Sequence, residues 1–493
     1  MILHRHKMAI IRTFHQYCLN LYKDDIDLVP YEIRQRRLGL ERTEGIPEYL
    51  SLTLKNTPLF NLALLIESPR QLKLILRHTK HAWSVLHGEI DFDDLLIAKA
   101  LRFCAPEAYD FLLEDIAEIR NIDHDFIKEP REKRGQLQEK WKQKTKSVEW
   151  DTIAAEALIT FLLPEWNERS IFERFDIPQG ISKSEPVDYW IRANLEAVPD
   201  GEIRDQVLLN KMKTWKETPE ADRARDTSLV DDIYQNTMLA HQFESLARYF
   251  LNGQDIRNLA AHLFECIINH DGVKANRSSA EGFSSLWRLS LNLRIDDKEH
   301  HIWVLNQIFK YLQVSLRFAN DLYYFWKHTD RRTIDIKQPM PEVREPMIIK
   351  AKEIFGASPD TLIKIIDPEF IYSSYHFAVF YSSEKEGGSG FKPEDWYWFG
   401  NALYAAAKLK PEIILPQMSC ILIGEDYTAA DFGIIYKYNE EPSKMFQNNM
   451  GDLMQLLTRS YNFSFLDEKG KKRMEYTQQY ARKWLEDSIA GPE

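Results

Sequence analysis

The chain has 493 residues, room for two to four ordinary domains, and its 44% hydrophobic and 28% charged residues are a normal globular mix. Its 64 basic and 75 acidic side chains leave a net charge of -11, which argues against a surface built as a whole to grip nucleic acid. With 19 glycines and a mean hydropathy of -0.43, collagen-like, glycine-linker and membrane-bundle architectures are excluded.

The predicted elements are almost all helices. The first twenty residues carry basic side chains but no unbroken apolar run of signal-peptide length. The most apolar stretch, Phe60 to Ile66, is too short to span a bilayer. Cys18, Cys104, Cys266 and Cys420 stand far apart with no CxxC pair. Neither a disulfide framework nor a paired-cysteine zinc site is therefore expected, and a cytoplasmic chain with buried thiols and no membrane span is.

Leu72, Ile75, Leu76, Thr79, Trp83 and Leu86 recur at three- and four-residue spacing and make one helix face. Ser68 is placed to cap that helix, Pro69 suits its first turn, and Gln71 completes a capping box. Gly88 ends it. Asp91 is then the cap of a second helix, Phe92 to Cys104, and Pro106 opens a third. Residues 128–150 turn sharply charged, as a solvated helix or linker does. A rival reading makes them a basic arm, with Arg131, Lys133, Arg134, Lys140, Lys142, Lys144 and Lys146 on phosphates and Trp141 stacked on a base. The interleaved glutamates weaken it, and nucleic acid is not expected as a partner. From Trp150 to His328 the pattern is helical again. Pro339, Pro341 and Pro346 mark a joint near 330–347, and Gly387, Gly388 and Gly390 mark a second. Short strands are conceivable around YHFAVFY and ADFGIIYKY. The expected fold class is mainly α: a multi-helix lid or bundle followed by irregular helical bundles or a solenoid.

The search for chemistry returns mostly negatives. A phosphate-cradling loop needs GxxxxGK(S/T), and the only Gly-Lys pair, Gly470-Lys471, has no glycine five residues earlier and is followed by Lys472. Asp24-Asp25, Asp231-Asp232 and Asp296-Asp297 follow weak apolar runs and read as acidic helix starts. The glycine cluster matches neither GxGxxG nor GxSxG. His78 and His81 share a face with His87 nearby, but no acid or cysteine stands at ligand spacing. Trp166, Trp287, Trp303, Trp326, Trp396 and Trp398 read as core.

One stretch carries a resemblance. Between Ile66 and Leu112 come four linked segments: Pro69, Arg70 and Lys73 at a helix start; a tryptophan- and leucine-rich helix; Gly88, Glu89, Asp91, Phe92, Asp94, Leu95 and Leu96; and Ala100, Leu101, Arg102, Pro106, Glu107 and Tyr109. In this order they resemble the region that follows the catalytic core in KAP family P-loop NTPases. The match covers about a tenth of the chain. In that family the Walker A and Walker B motifs precede the PR-containing helix, and here the 68 residues before Pro69 contain neither. The resemblance therefore implies the C-terminal part of a bacterial NTPase, as a truncated product, one subunit of a split enzyme, or a degenerate relative. ATP and Mg2+ would belong to the complete NTPase, with no cofactor expected for this chain alone. The implied partners are a P-loop catalytic part, on the same longer chain or a separate subunit, and an unidentified protein that is sensed. Phage defence and membrane-associated complexes are the implied settings.

On this reading residues 1–125 are the tail and helical lid, 126–150 a charged helix or linker, 151–330 a helical domain, and 348–493 a C-terminal helical domain. Arg70 is the expected sensor or finger, since a guanidinium at a lid helix start can stabilise charge on a transferring phosphoryl group. Lys73, one turn on, is the second candidate. The structural alternative for Arg70 is a salt bridge to Glu67 or a neighbouring helix. Asp91, Asp94 and Arg102 read as caps and interhelical pairs. The alternative for the whole chain is a non-catalytic helical scaffold that binds a protein.

Overall fold

Helix termini follow local chemistry closely in this chain. In the computed structural model, which describes residues 2–39, 57–122, 130–166, 177–184, 187–223, 228–276, 298–329, 340–382, 393–427 and 434–490, almost every regular element is a helix. The chain divides into two units. One comprises Met1–Leu229 with Met238–Asn252, the other Val230–Thr237 with Gly253–Glu493. The division falls inside the stretch 151–330. Among the described residues no helix is long and apolar enough to cross a membrane.

The first unit contains α1 (Ile2–Leu21), α2 (Tyr31–Leu38), α3 (Pro58–Leu65), α4 (Pro69–Leu86), α5 (Phe92–Cys104), α6 (Pro106–Arg120), α7 (Pro130–Lys144), α8 (Thr152–Leu162), α9 (Tyr189–Leu195) and α10 (Asp205–Glu217). The caps follow the sequence. The Ser68 hydroxyl accepts from the Gln71 amide while the Gln71 side chain accepts from the Ser68 amide. The Asp91 carboxylate accepts from the Asp94 amide at the start of α5. Every residue of α5 from Phe92 to Leu101 is buried, with α3, α4, α6 and α8 packed around it. A helix enclosed on all sides must pair whatever polar groups it carries. Lys99 accordingly donates to Ala193 O at 3.2 Å and to Glu196 at 2.6 Å.

The charged segment folds as α7 and docks on α6. Lys140 pairs with Asp115 and Lys144 with Glu114, both at 2.7 Å. Trp141 is buried, with its ring 5.4 Å from Phe111, 6.1 Å from Trp150 and 6.4 Å from Trp166. Arg134 is buried as well and donates to Glu165 O. A tryptophan held in the core cannot stack on a base, so the basic-arm reading loses its aromatic partner. α11 (Glu220–Arg223), α12 (Ser228–Gln235) and α13 (Thr237–Phe250) follow, and the chain passes between the units within them.

The second unit continues with α14 (Gly253–Asp271), α15 (Lys298–Leu312), α16 (Leu316–Thr329), α17 (Met340–Ala357), α18 (Pro359–Ile365), α19 (Ser373–Ser382), α20 (Tyr397–Leu409) and α21 (Pro411–Leu422). An antiparallel ribbon of β1 (Ile423–Tyr427) and β2 (Ile434–Tyr438) comes next, with Ile423 opposite Tyr438 and Glu425 opposite Tyr436. α22 (Glu440–Ser443), α23 (Met450–Leu457) and α24 (Glu468–Ala490) close the fold. Two expectations need correction. YHFAVFY is helical within α19, because Phe377 is buried among Phe355, Trp396 and Phe399, and this packing overrides its aromatic strand propensity. The proline joint is shorter than expected: Pro341 and Pro346 both lie within α17. Pro339, the glycines at 387–390, Trp287 and Asp296-Asp297 lie outside the described residues.

Candidate functional site

The segment Gly88–Asp94, between α4 and α5, is the centre of a buried ionic network in the first unit. Gly88 turns the chain with φ +68°, and a Cβ there would meet the Gln206 side chain at 2.3 to 2.6 Å. Glycine is required on both counts. Gly88→Ala is expected to destabilise the first unit by about 1–3 kcal/mol through left-handed strain and this clash. Adding Gln206→Ala should recover the clash and not the strain. Urea unfolding of the single and double variants measures the two parts, and full recovery would mean that φ contributes nothing.

Glu89 is fully buried and acts as a remote cap for α10. Its carboxylate accepts from the amides of Asp205 at 2.8 Å and Gln206 at 3.3 Å, the first two residues of that helix. α10 has no cap from its own preceding side chain, Arg204, so Glu89 answers both its open N–H groups and its positive end. Arg204 instead donates to Glu89 at 3.1 Å. The fully buried Arg192 donates to Glu89, to Asp205 at 3.1 Å and to Glu202 at 3.1 Å. Asp205 also accepts from Tyr189, Gln179 and Gln242. Burial, helped by the nearby Asp205 charge and opposed by Arg192, pushes the Glu89 carboxyl up to about 7.

The other half of the network faces α2. Arg34 donates to Asp91 at 2.5 Å and, by Nε and Nη2, to Asp27 at 3.1 and 2.8 Å. Arg37 bonds Asp91 and Asp94, approaches Asp93 at 3.5 Å, and stacks 4.3 Å over the Phe161 ring. His15 meets Asp93 at 2.7 Å. Asp94 accepts in addition from the Ile181 amide at 2.7 Å. Burial opposes the charge on Asp91, but the two guanidiniums outweigh it and hold that carboxyl well below its usual range. Asp94 moves the other way, raised by burial and by the neighbouring Asp91 charge. Gln179 joins the halves, its side-chain amide donating to Gly88 O at 2.8 Å and to Asp205 at 2.7 Å while its main-chain carbonyl accepts from the Asp91 amide at 3.0 Å.

Beside this network lies a half-open cavity of about 100 Å³ lined by Tyr22, Asp25, Asp27, Arg34, Gly88 and Gln179 among others. His87 pairs with Asp25 at its edge, and Tyr22 stacks on the His87 ring at 3.9 Å. The space suits a few waters or a small ion rather than a nucleotide.

Arg70 and Lys73 sit elsewhere. Both are exposed on the first turns of α4, whose opposite end leads into the network about 25 Å away at 1.5 Å per residue. Neither side chain makes a hydrogen bond or ion pair with another described residue, and the alternative pairing of Arg70 with Glu67 is not formed. Asp91 and Asp94 are a cap and interhelical pairs, as their spacing suggests, and Arg102 lies 3.6 Å from Glu196. In the second unit, Asp231 of α12 meets Cys266 and His270 of α14 within ligand distance of one another. Comparison with family models, curated proteins and solved structures found no significant match.

Proposed function

We propose that this chain supplies the helical lid and partner-sensing part of a bacterial KAP-like P-loop NTPase, in which binding of a partner protein is coupled to ATP hydrolysis in a P-loop part on a longer chain or a separate subunit. The observation that supports this reading is a division of labour within the matched stretch. The acidic residues that follow α4, Glu89, Asp91, Asp93 and Asp94, are engaged internally and anchor that end of the helix. At the other end Arg70 and Lys73 stand exposed and unpaired among the described residues, as groups that reach a phosphate on another body must. ATP and Mg2+ belong, in this reading, to the P-loop part.

Arg70→Ala is expected to lower ATP turnover of the complex with the P-loop part by about 10³-fold or more, the scale of an arginine finger, without shifting the melting temperature of this chain. Lys73→Ala should act in the same direction and less. The second reading, a non-catalytic scaffold that binds a protein, is favoured by the same internal engagement, since the matched motif is a packing device in this chain. It predicts unchanged turnover in Arg70→Ala. Turnover and stability both unchanged would remove the sensor role and leave the scaffold.

A further inference from the structure

We propose that Asp231, Cys266 and His270 form a zinc site that ties α12 to α14, with a water completing the tetrahedron. This goes beyond the NTPase reading and stands independently of it. Cys266 and His270 are four residues apart on α14 and so share a face, and Asp231 comes from the first turn of α12. Asp231 Oδ1 is 3.4 Å from Cys266 Sγ and 3.9 Å from His270 Nε2, and all three ligand atoms lie within 4.8 Å of one another. Tetrahedral zinc with bonds of roughly 2.0 to 2.3 Å places ligand atoms about 3.3 to 3.8 Å apart, so the trio needs to close by about 1.5 Å at most.

The surroundings fit a cation. Tyr234 stacks on the His270 ring at 4.9 Å, which fixes its orientation, and donates to Asp271 at 2.7 Å. The other Asp271 oxygen is buried and accepts no hydrogen bond from the described residues, and this carboxylate lies close enough to Cys266 to act on it. Thiolate, imidazole and carboxylate together suit zinc; calcium and magnesium prefer oxygen alone. The His270 side chain is 52% exposed and that of Asp231 37%, which leaves an entry path and room for water as fourth ligand. Zinc takes the thiolate, so binding releases the Cys266 proton to solvent. The segment Val230–Thr237 belongs to the second unit although its sequence neighbours on both sides belong to the first. A metal bridge to α14 would fasten it there.

Co2+ titration of the chelator-stripped full chain is the test. One equivalent should give a thiolate-to-cobalt absorption band and the visible bands of tetrahedral cobalt, and Zn2+ should displace it. Cys266→Ser should abolish the charge-transfer band, while Cys420→Ala, a control at another buried thiol, should keep it. If Cys266→Ser does not fold, His270→Ala at a half-exposed position serves, with affinity expected to fall by at least about tenfold, since even outer-shell changes cost that much. No band at one equivalent, a band that survives Cys266→Ser, or unchanged affinity in His270→Ala would each overturn the site.

Discussion

Arg37→Met is expected to destabilise the first unit by about 3–5 kcal/mol, the scale for breaking a buried ion pair from one side. Arg37 is the cation that Asp91, Asp93 and Asp94 share, and the side chains of all three acids are at most 1% exposed. Methionine fills much of the vacated volume over Phe161, so the loss reads chiefly as uncompensated charge rather than as a cavity. Arg34 remains on Asp91 but is shared with Asp27 and is not hydrogen-bonded to Asp94. Urea unfolding at pH 7.5, followed through the buried Trp83 and Trp141 of this unit, gives the number. Adding Asp94→Asn removes one orphaned carboxylate and should recover part of the loss, a coupling that a double-mutant cycle isolates. A loss below about 1 kcal/mol in Arg37→Met would show that the network does not hold these helices together.

The caps of α4, α5 and α6 were legible because each is decided within four residues: Ser68 with Gln71, Asp91 with Asp94, Pro106 at a first turn. The same locality hid the network. Asp91 reads correctly as a cap, yet the guanidiniums on it come from 57 and 54 residues earlier. Arg192 reaches Glu89 from 103 residues later. α2, YEIRQRRL, has the composition of a solvated helix, and nothing in its spacing shows that Arg34 and Arg37 are buried while Arg36 is exposed. Trp141 sits in a run of lysines and glutamates, and only its tertiary neighbours Phe111, Trp150 and Trp166 show it to be core. The Cys266 to His270 spacing of four was visible, but a search for paired cysteines passes over it. Asp231, 35 residues from Cys266, looks like an acidic helix start, which it also is.

The pH dependence of stability separates Glu89 from the rest of the network. Its carboxyl is raised from 4.5 to about 7 by burial and by Asp205, so the folded chain holds a proton that the unfolded chain has already released. Its contribution is fully present below pH 4.5 and is lost as pH rises through 7, which at 1.36 kcal/mol per pKa unit is roughly 3 kcal/mol between pH 4.5 and 8. Asp94, also raised, adds to the same fall. Asp91, lowered by Arg34 and Arg37 against its burial, acts only in acid, where its contribution is lost as pH falls. The first unit should therefore be more stable near pH 5 than near pH 8, the reverse of a fold held by ordinary carboxylate salt bridges. Glu89→Gln keeps an acceptor for the start of α10 and cannot ionise. It should stay close to the parent chain near pH 5, where Glu89 is also uncharged, and should flatten the fall toward pH 8. Urea midpoints of the parent chain and Glu89→Gln at half-unit steps across this range make the comparison. Parallel curves would mean that the carboxylate is already charged at pH 5, and that Arg192, Arg204 and the amides of α10 outweigh its burial.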